Sequence, residues 1–138
     1  MSLPEGLTAI GDYAFAGCAG LASMDLPASV ETIGSSAFAN CDSLTAITLP
    51  AGTKSVGAYA FQECTVNEVV LSKSVTRVGE YAFAGCSSLA DVTLLSSVTT
   101  IGSYAFSGCS SLTELAIPNS VTRIDYYAFE NCSALESI

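Results

Sequence analysis

Hydrophobic and polar residues alternate along this chain in a pattern that returns at regular intervals. Leu21, Met24 and Leu26 form one apolar group, and later copies keep the same spacing. The polar residues between them and the frequent β-branched side chains predict a short strand with one buried face. The chain's prolines all follow this strand, at Pro4, Pro27, Pro50 and Pro118. Because proline has no amide hydrogen, we predict that the strand ends there.

A second and shorter strand is predicted in each copy. Segments such as Val30–Ile33 and Val98–Ile101 are short and rich in β-branched residues. Glycine follows them at positions 11, 34, 57, 79 and 102, and Asp125 takes this place in the last copy. Both residue types are typical where the backbone turns sharply.

Each copy ends in an aromatic residue and a cysteine three positions later. The two sets are Phe15, Phe38, Phe61, Phe83, Phe106 and Phe129, with Cys18, Cys41, Cys64, Cys86, Cys109 and Cys132. A period of 23 residues, with one interval of 22, indicates a repeat solenoid whose coils bury their apolar sides by stacking. We therefore predict one mostly parallel β domain over residues 1–138, with a single column of stacked Phe rings.

Two local features of the repeat predict where its backbone turns and where it is irregular. Gly or Asn precedes five of the six cysteines, which indicates a turn with positive φ. Glu63 interrupts this pattern, and the shortened interval begins just after Cys64. We expect local distortion in this third coil.

Composition excludes several classes of function. Half of the residues are hydrophobic and 12% are charged, which argues against disorder. The net charge of -9 disfavours nucleic acid and anionic membrane surfaces as partners. The sequence has no apolar run long enough to insert into a membrane and no signal peptide at its N-terminus. A cationic partner fits the charge, although acidity also serves solubility alone.

The cysteines are predicted to be buried small hydrophobes with weak S–H donors. One cysteine per coil is a product of the repeat, and parallel side chains on adjacent coils would strain a disulfide. A structural zinc site needs ligands that converge on one point, and cysteines arranged in a linear column do not converge. No histidine is present to activate a thiol, and phosphate-binding glycine motifs are absent. We therefore expect neither catalytic residues nor a cofactor or metal site.

The outward positions of the main strand form the first candidate surface. The alternation points these pairs to solvent: Ser23/Asp25, Ala46/Thr48, Glu68/Val70, Asp91/Thr93 and Glu114/Ala116. Glu68, Asp91 and Glu114 share one repeat position and should stack as an acidic column. The candidate partner-binding residues are Asp25, Glu68, Val70, Asp91, Thr93 and Glu114. Their polarity also fits any solvent-facing strand.

A row of tyrosines forms the second candidate surface, at Tyr13, Tyr59, Tyr81, Tyr104 and Tyr127. Tyr is favoured at protein interfaces because it combines apolar area with a polar tip. The alternative is that each ring covers the core while its hydroxyl meets water.

The repeat as a whole resembles the BspA-type leucine-rich repeat. The segments SLTELAIPNSVTRI and YAFENCSAL carry the likeness, which extends over about six copies. Departures are Ser36 for Tyr, Thr53 for Val, Leu95 for Pro and Asp125 for Gly. The resemblance implies a right-handed superhelix and a bacterial or protozoan protein, secreted or at the cell surface, that binds host or matrix proteins as an adhesin.

Two functions follow from this resemblance and the surface pattern. The first is an adhesin-like, non-enzymatic module that binds protein through the exposed strand face. The second is a structural spacer that presents another domain at the cell surface. The chain ends lack polar capping coils, so we expect a fragment of a longer array whose open edges could pair into an end-to-end homodimer.

Overall fold

The computed structural model describes residues 2–138, which form a parallel β-solenoid of stacked coils. Ten short strands alternate between two sheets. In chain order they are β1 (Ala9–Ile10), β2 (Ser23–Asp25), β3 (Thr32–Ile33), β4 (Ala46–Thr48), β5 (Ser55–Val56), β6 (Glu68–Val70), β7 (Arg77–Val78), β8 (Asp91–Thr93), β9 (Thr100–Ile101) and β10 (Arg123–Ile124).

The main sheet has the order β2-β4-β6-β8, and all of its strand pairs are parallel. The middle residue of each strand points into the core, as in the pair Met24 and Ile47, while its two neighbours are exposed. This exposed–inward–exposed pattern follows from the pleat, which sends successive side chains to opposite faces. The predicted main strand is confirmed in these four coils.

The second sheet has the order β1-β3-β5-β7-β9-β10, again parallel throughout. Its strands are only two residues long, which confirms the predicted shorter strand. Backbone bonds beyond the strands add a third line of contact between coils. The amide of Phe38, for example, donates to the carbonyl of Ala60 at 2.8 Å.

The coils join least regularly where the repeat is one residue short. Three residue pairs align β2 with β4, and three align β6 with β8. Between β4 and β6 only Ala46 and Glu68 are aligned. In the second sheet only Val56 and Val78 are aligned at the same junction. The expected distortion is therefore found where the missing residue follows Cys64.

The residue before each cysteine has positive φ, as the Gly and Asn pattern predicted. The values are 71° at Gly17, 57° at Asn40, 73° at Gly85, 75° at Gly108 and 56° at Asn131. Glu63 adopts the same conformation at 56°. The repeat therefore imposes a left-handed residue here even where the side chain disfavours it.

Glycine is required after the second strand for a different reason from the one predicted from the sequence. The φ angles of Gly34, Gly57, Gly79 and Gly102 lie outside the left-handed region. A Cβ on Gly57 would instead lie 2.6 Å from the backbone of Gly34 and Ser35 in the preceding coil. Close stacking of coils, and not a sharp turn, therefore requires glycine.

The core contains one continuous column of aromatic rings, surrounded by buried aliphatic side chains. Consecutive Phe rings are stacked with centroids 5.3–5.7 Å apart. The four central rings are fully buried, and Phe15 and Phe129 at the two ends are partly buried. The predicted stack of six rings is confirmed.

Candidate protein-binding surface

The outward face of the main sheet carries two columns of exposed side chains. The first column contains Ser23, Ala46, Glu68 and Asp91. The second contains Asp25, Thr48, Val70 and Thr93. All eight are exposed, and the structure thus places five of the six candidate binding residues on one open face. The sixth, Glu114, is also exposed but lies outside the regular strands.

Glu68 and Asp91 are direct partners across β6 and β8. Adjacent parallel strands are about 4.8 Å apart, so the two carboxylates repel each other and concentrate negative potential. Within residues 2–138 the ion pairs are Lys54 with Glu31, and Arg77 and Arg123 with Asp125. The acidic pair on the main sheet is therefore free to attract a cationic partner.

The main sheet is interrupted before Glu114. Over the described residues, the segment 114–116 forms no ladder with β8, and Glu114 is instead bridged to Ser137 of the following coil. The expected acidic column is thus continuous from Glu68 to Asp91 and broken before Glu114.

A groove of about 420 Å³ occupies the interruption. It is lined by Asp91, Val92, Thr93, Glu114, Leu115, Ala116, Ser137 and Ile138. Two carboxylates thus border a floor that includes apolar side chains. The two coils remain stacked behind this opening, where β9 pairs with β10 and the Phe106 and Phe129 rings are 5.7 Å apart, so the groove is a depression in the outer face. Sequence reasoning missed the groove because every coil matches the same strand pattern.

The thiols are structural. All six cysteines are free, and each Sγ from Cys41 onward donates to the Phe carbonyl of the preceding coil, as Cys64 does to Phe38 at 2.9 Å. Burial raises the pKa of the Cys64 and Cys109 thiols to about 12, and raises that of Cys86 still further. A thiol that stays protonated is a poor nucleophile and a poor metal ligand. The four central thiols are buried, and Cys18 and Cys132 at the two ends are half-buried, so the cysteines lie in the core as small side chains.

Residues 2–138 contain no group of three His, Cys, Asp or Glu side chains that could hold a metal ion. Over that range no helix is long and apolar enough to cross a membrane.

The tyrosines form a second ladder beside the Phe column. Ring centroids are 4.8 Å apart for Tyr59 and Tyr81, 4.6 Å for Tyr81 and Tyr104, and 5.1 Å for Tyr104 and Tyr127. All five tyrosines at this repeat position have φ between 54° and 60°, as does Ser36. Sequence reasoning missed this left-handed backbone, because bulky residues rarely adopt it.

Comparisons with known proteins agree with this architecture. A family model described as the BspA type leucine rich repeat region matches residues 8–136 in 6 copies. No curated protein gave a significant match.

Several solved structures are similar to this chain. A leucine rich repeat protein of T. pallidum is 34% identical with a TM-score of 0.75, over 80% of this chain and 52% of its own. A leucine-rich repeat protein from Bacteroides ovatus is 32% identical with a TM-score of 0.68, and the match covers 95% of this chain and 40% of the other. A leucine rich cell surface protein of Faecalibacterium prausnitzii shares the fold at 23% identity and a TM-score of 0.65. The match covers 99% of this chain and 58% of the other. The chain thus spans about half the length, or less, of the first two.

Proposed function

Because this chain belongs to the BspA-type leucine-rich repeat family, we propose that it is an adhesin-like protein-interaction module that binds its partner through the exposed main sheet. The observation that carries the proposal is the aligned pair Glu68 and Asp91 beside the open groove at Glu114. An acidic, solvent-exposed strand face suits a partner with a basic patch. Host or extracellular-matrix proteins with such patches are the proposed ligands.

The groove adds a second mode of contact to this face. Val92, Ala116 and Ile138 line this groove and offer apolar area beside the two carboxylates. A segment of a partner could lie along the groove, with basic side chains near Asp91 and Glu114. Leucine-rich repeat solenoids are typically non-enzymatic scaffolds, and the protonated thiols agree with this role.

Charge reversal on this face tests the proposal. The double variant Asp91→Lys/Glu114→Lys should lose at least about tenfold in affinity, because two attractive contacts become repulsive. Binding is measured by surface plasmon resonance against purified extracellular-matrix proteins that span basic and acidic isoelectric points. The wild type should prefer the basic members, and higher salt should weaken that binding.

The control is Glu5→Lys/Asp42→Lys, which changes the net charge equally at exposed positions outside the main strands. Equal loss in both double variants would mean that only net charge matters and would remove the main sheet as the site. If the wild type binds no member of the panel, the structural spacer becomes the better account.

We also propose that the protein is secreted or displayed at the cell surface, as membership of this family suggests. Immunodetection of the native full-length protein in surface, secreted and cytosolic fractions tests this location. Recovery in the cytosol alone would contradict it. End-to-end pairing of two copies stays a prediction.

A further inference from the structure

Ser36 stands at a tyrosine position of the repeat. Its φ of 54° falls within the range of the five tyrosines. The amide of Tyr13 donates to Ser35, that of Ser36 to Ala58, and that of Tyr59 to Glu80, all at 2.8–2.9 Å. Because the backbone is the same in these three coils, the Ser36 side chain begins in line with the tyrosine ladder but carries no ring.

The missing ring leaves a gap between Tyr13 and Tyr59. Two coil steps of about 4.8 Å place these side chains about 9.6 Å apart. In the next coils the equivalent interval, from Tyr59 to Tyr104, holds the Tyr81 ring. Ser36 is only 8% exposed, whereas Tyr13 and Tyr59 are 67% and 36% exposed, so the serine lies deeper than the two tyrosines. At this coil spacing, Tyr13, Ser36 and Tyr59 would bound a slot one planar group wide.

Charge favours a cation in this slot. Asp12 precedes Tyr13, and its Oδ1 accepts a hydrogen bond from the Ser35 amide at 2.8 Å, which fixes a carboxylate at the edge of the slot. Lys54, Arg77 and Arg123 have carboxylate partners elsewhere. A cation centred between the two rings would lie about 4.8 Å from each, within the roughly 6 Å that cation–π attraction requires.

We propose that Tyr13, Ser36 and Tyr59 form a slot for the guanidinium group of an arginine side chain on a protein partner. The guanidinium is planar and stacks on aromatic faces, and it binds carboxylates through several N–H donors. Lysine offers a compact ammonium that cannot fill a planar gap in this way. The slot is separate from the main sheet, so this proposal stands without the acidic face.

The test uses the whole chain labelled with ¹⁵N and three small probes: N-acetyl-arginine amide, N-acetyl-lysine amide and N-acetyl-phenylalanine amide. The arginine probe should shift the amide signals of Ser35, Ser36 and Tyr59 in a saturable way at millimolar concentration. Its affinity should exceed that of the lysine probe by at least about threefold, since two ring faces contribute.

Ser36→Tyr is the decisive variant, because it fills the slot with the residue that other coils accept at the same φ. It should fold normally and weaken arginine binding by at least about tenfold. Ser36→Ala keeps the slot open and should bind like the wild type. Asp91→Lys/Glu114→Lys should also leave these shifts unchanged, which separates this site from the main sheet.

Four results would overturn the proposal. They are the absence of any saturable shift, equal affinity for lysine and arginine, undiminished binding by Ser36→Tyr, and tighter binding of the phenylalanine probe. The last result would indicate a slot for neutral rings.

Discussion

At the scale of the residue, this fold depends on positions where a Cβ atom would collide with the neighbouring coil. A Cβ on Gly57 would lie 2.6 Å from backbone atoms of the preceding coil, and one on Gly79 or Gly102 would lie within 2.8 Å. Backbone atoms cannot move aside as a flexible side chain can. Gly11 occupies the same repeat position in the first coil, where a Cβ would meet nothing within 4 Å.

The contrast between Gly57 and Gly11 gives a matched prediction. Gly57→Ala should reduce the free energy of unfolding by about 2–3 kcal/mol, because the methyl group forces two coils apart. Gly11→Ala should change it by less than about 0.5 kcal/mol. Urea denaturation followed by circular dichroism measures both. Similar losses in the two variants would show that the turn, and not coil spacing, requires glycine.

Residue-level prediction from sequence succeeded where one residue type dominates a position. The Gly and Asn pattern before the cysteines correctly gave a positive φ, since these residues tolerate it best. The same conformation at Tyr59 and its equivalents was missed, because tyrosine gives no such signal. Hydrogen bonds between neighbouring coils hold that backbone in place, and one repeat read alone cannot show them.

At the scale of the element, the columns between coils stabilise the molecule more than any single strand does. Strands of two or three residues have little independent stability. Each coil instead adds a Phe ring to a buried stack and a thiol hydrogen bond to the coil before it. Thr53 stands where the repeat usually has Val. The structure accommodates this polar side chain because its buried hydroxyl donates to the carbonyl of Val30 at 3.0 Å.

The thiol column predicts a loss of stability at alkaline pH. An unfolded cysteine releases its proton near pH 9, whereas burial keeps Cys64 and Cys109 protonated to about pH 12. The folded state thus binds more protons than the unfolded state between these values. Stability is therefore complete below about pH 9 and falls above it, by up to about 1.4 kcal/mol per pH unit for each thiol.

Thermal melts from pH 7 to 11 under reducing conditions measure this effect. The wild type should lose Tm more steeply above pH 9 than Cys64→Ala/Cys109→Ala, which keeps the tyrosines and all other titrating groups. Parallel profiles for the two proteins would contradict the buried thiol assignment.

At the scale of the whole molecule, stacking of nearly identical coils creates two long sheets, and departures from the repeat create the candidate sites. Periodicity in the sequence was enough to predict the solenoid, the main strand of four coils, the second strand of six coils and the outward residues. It could not predict the opening beside Glu114, because that segment keeps the same pattern as the coils that pair. It also could not predict which face a partner uses, since binding depends on the surface of the partner as well.

The proposed partner binds the main sheet at Asp91 and Glu114. Hydrogen–deuterium exchange, with and without the tightest-binding matrix protein, locates the contact along the chain. Residues 91–93 and 114–116 should exchange more slowly in the complex, while Arg77–Val78 and Thr100–Ile101 of the second sheet stay unchanged. Protection confined to the second sheet, with none along the groove, would rule out the main sheet as the binding surface.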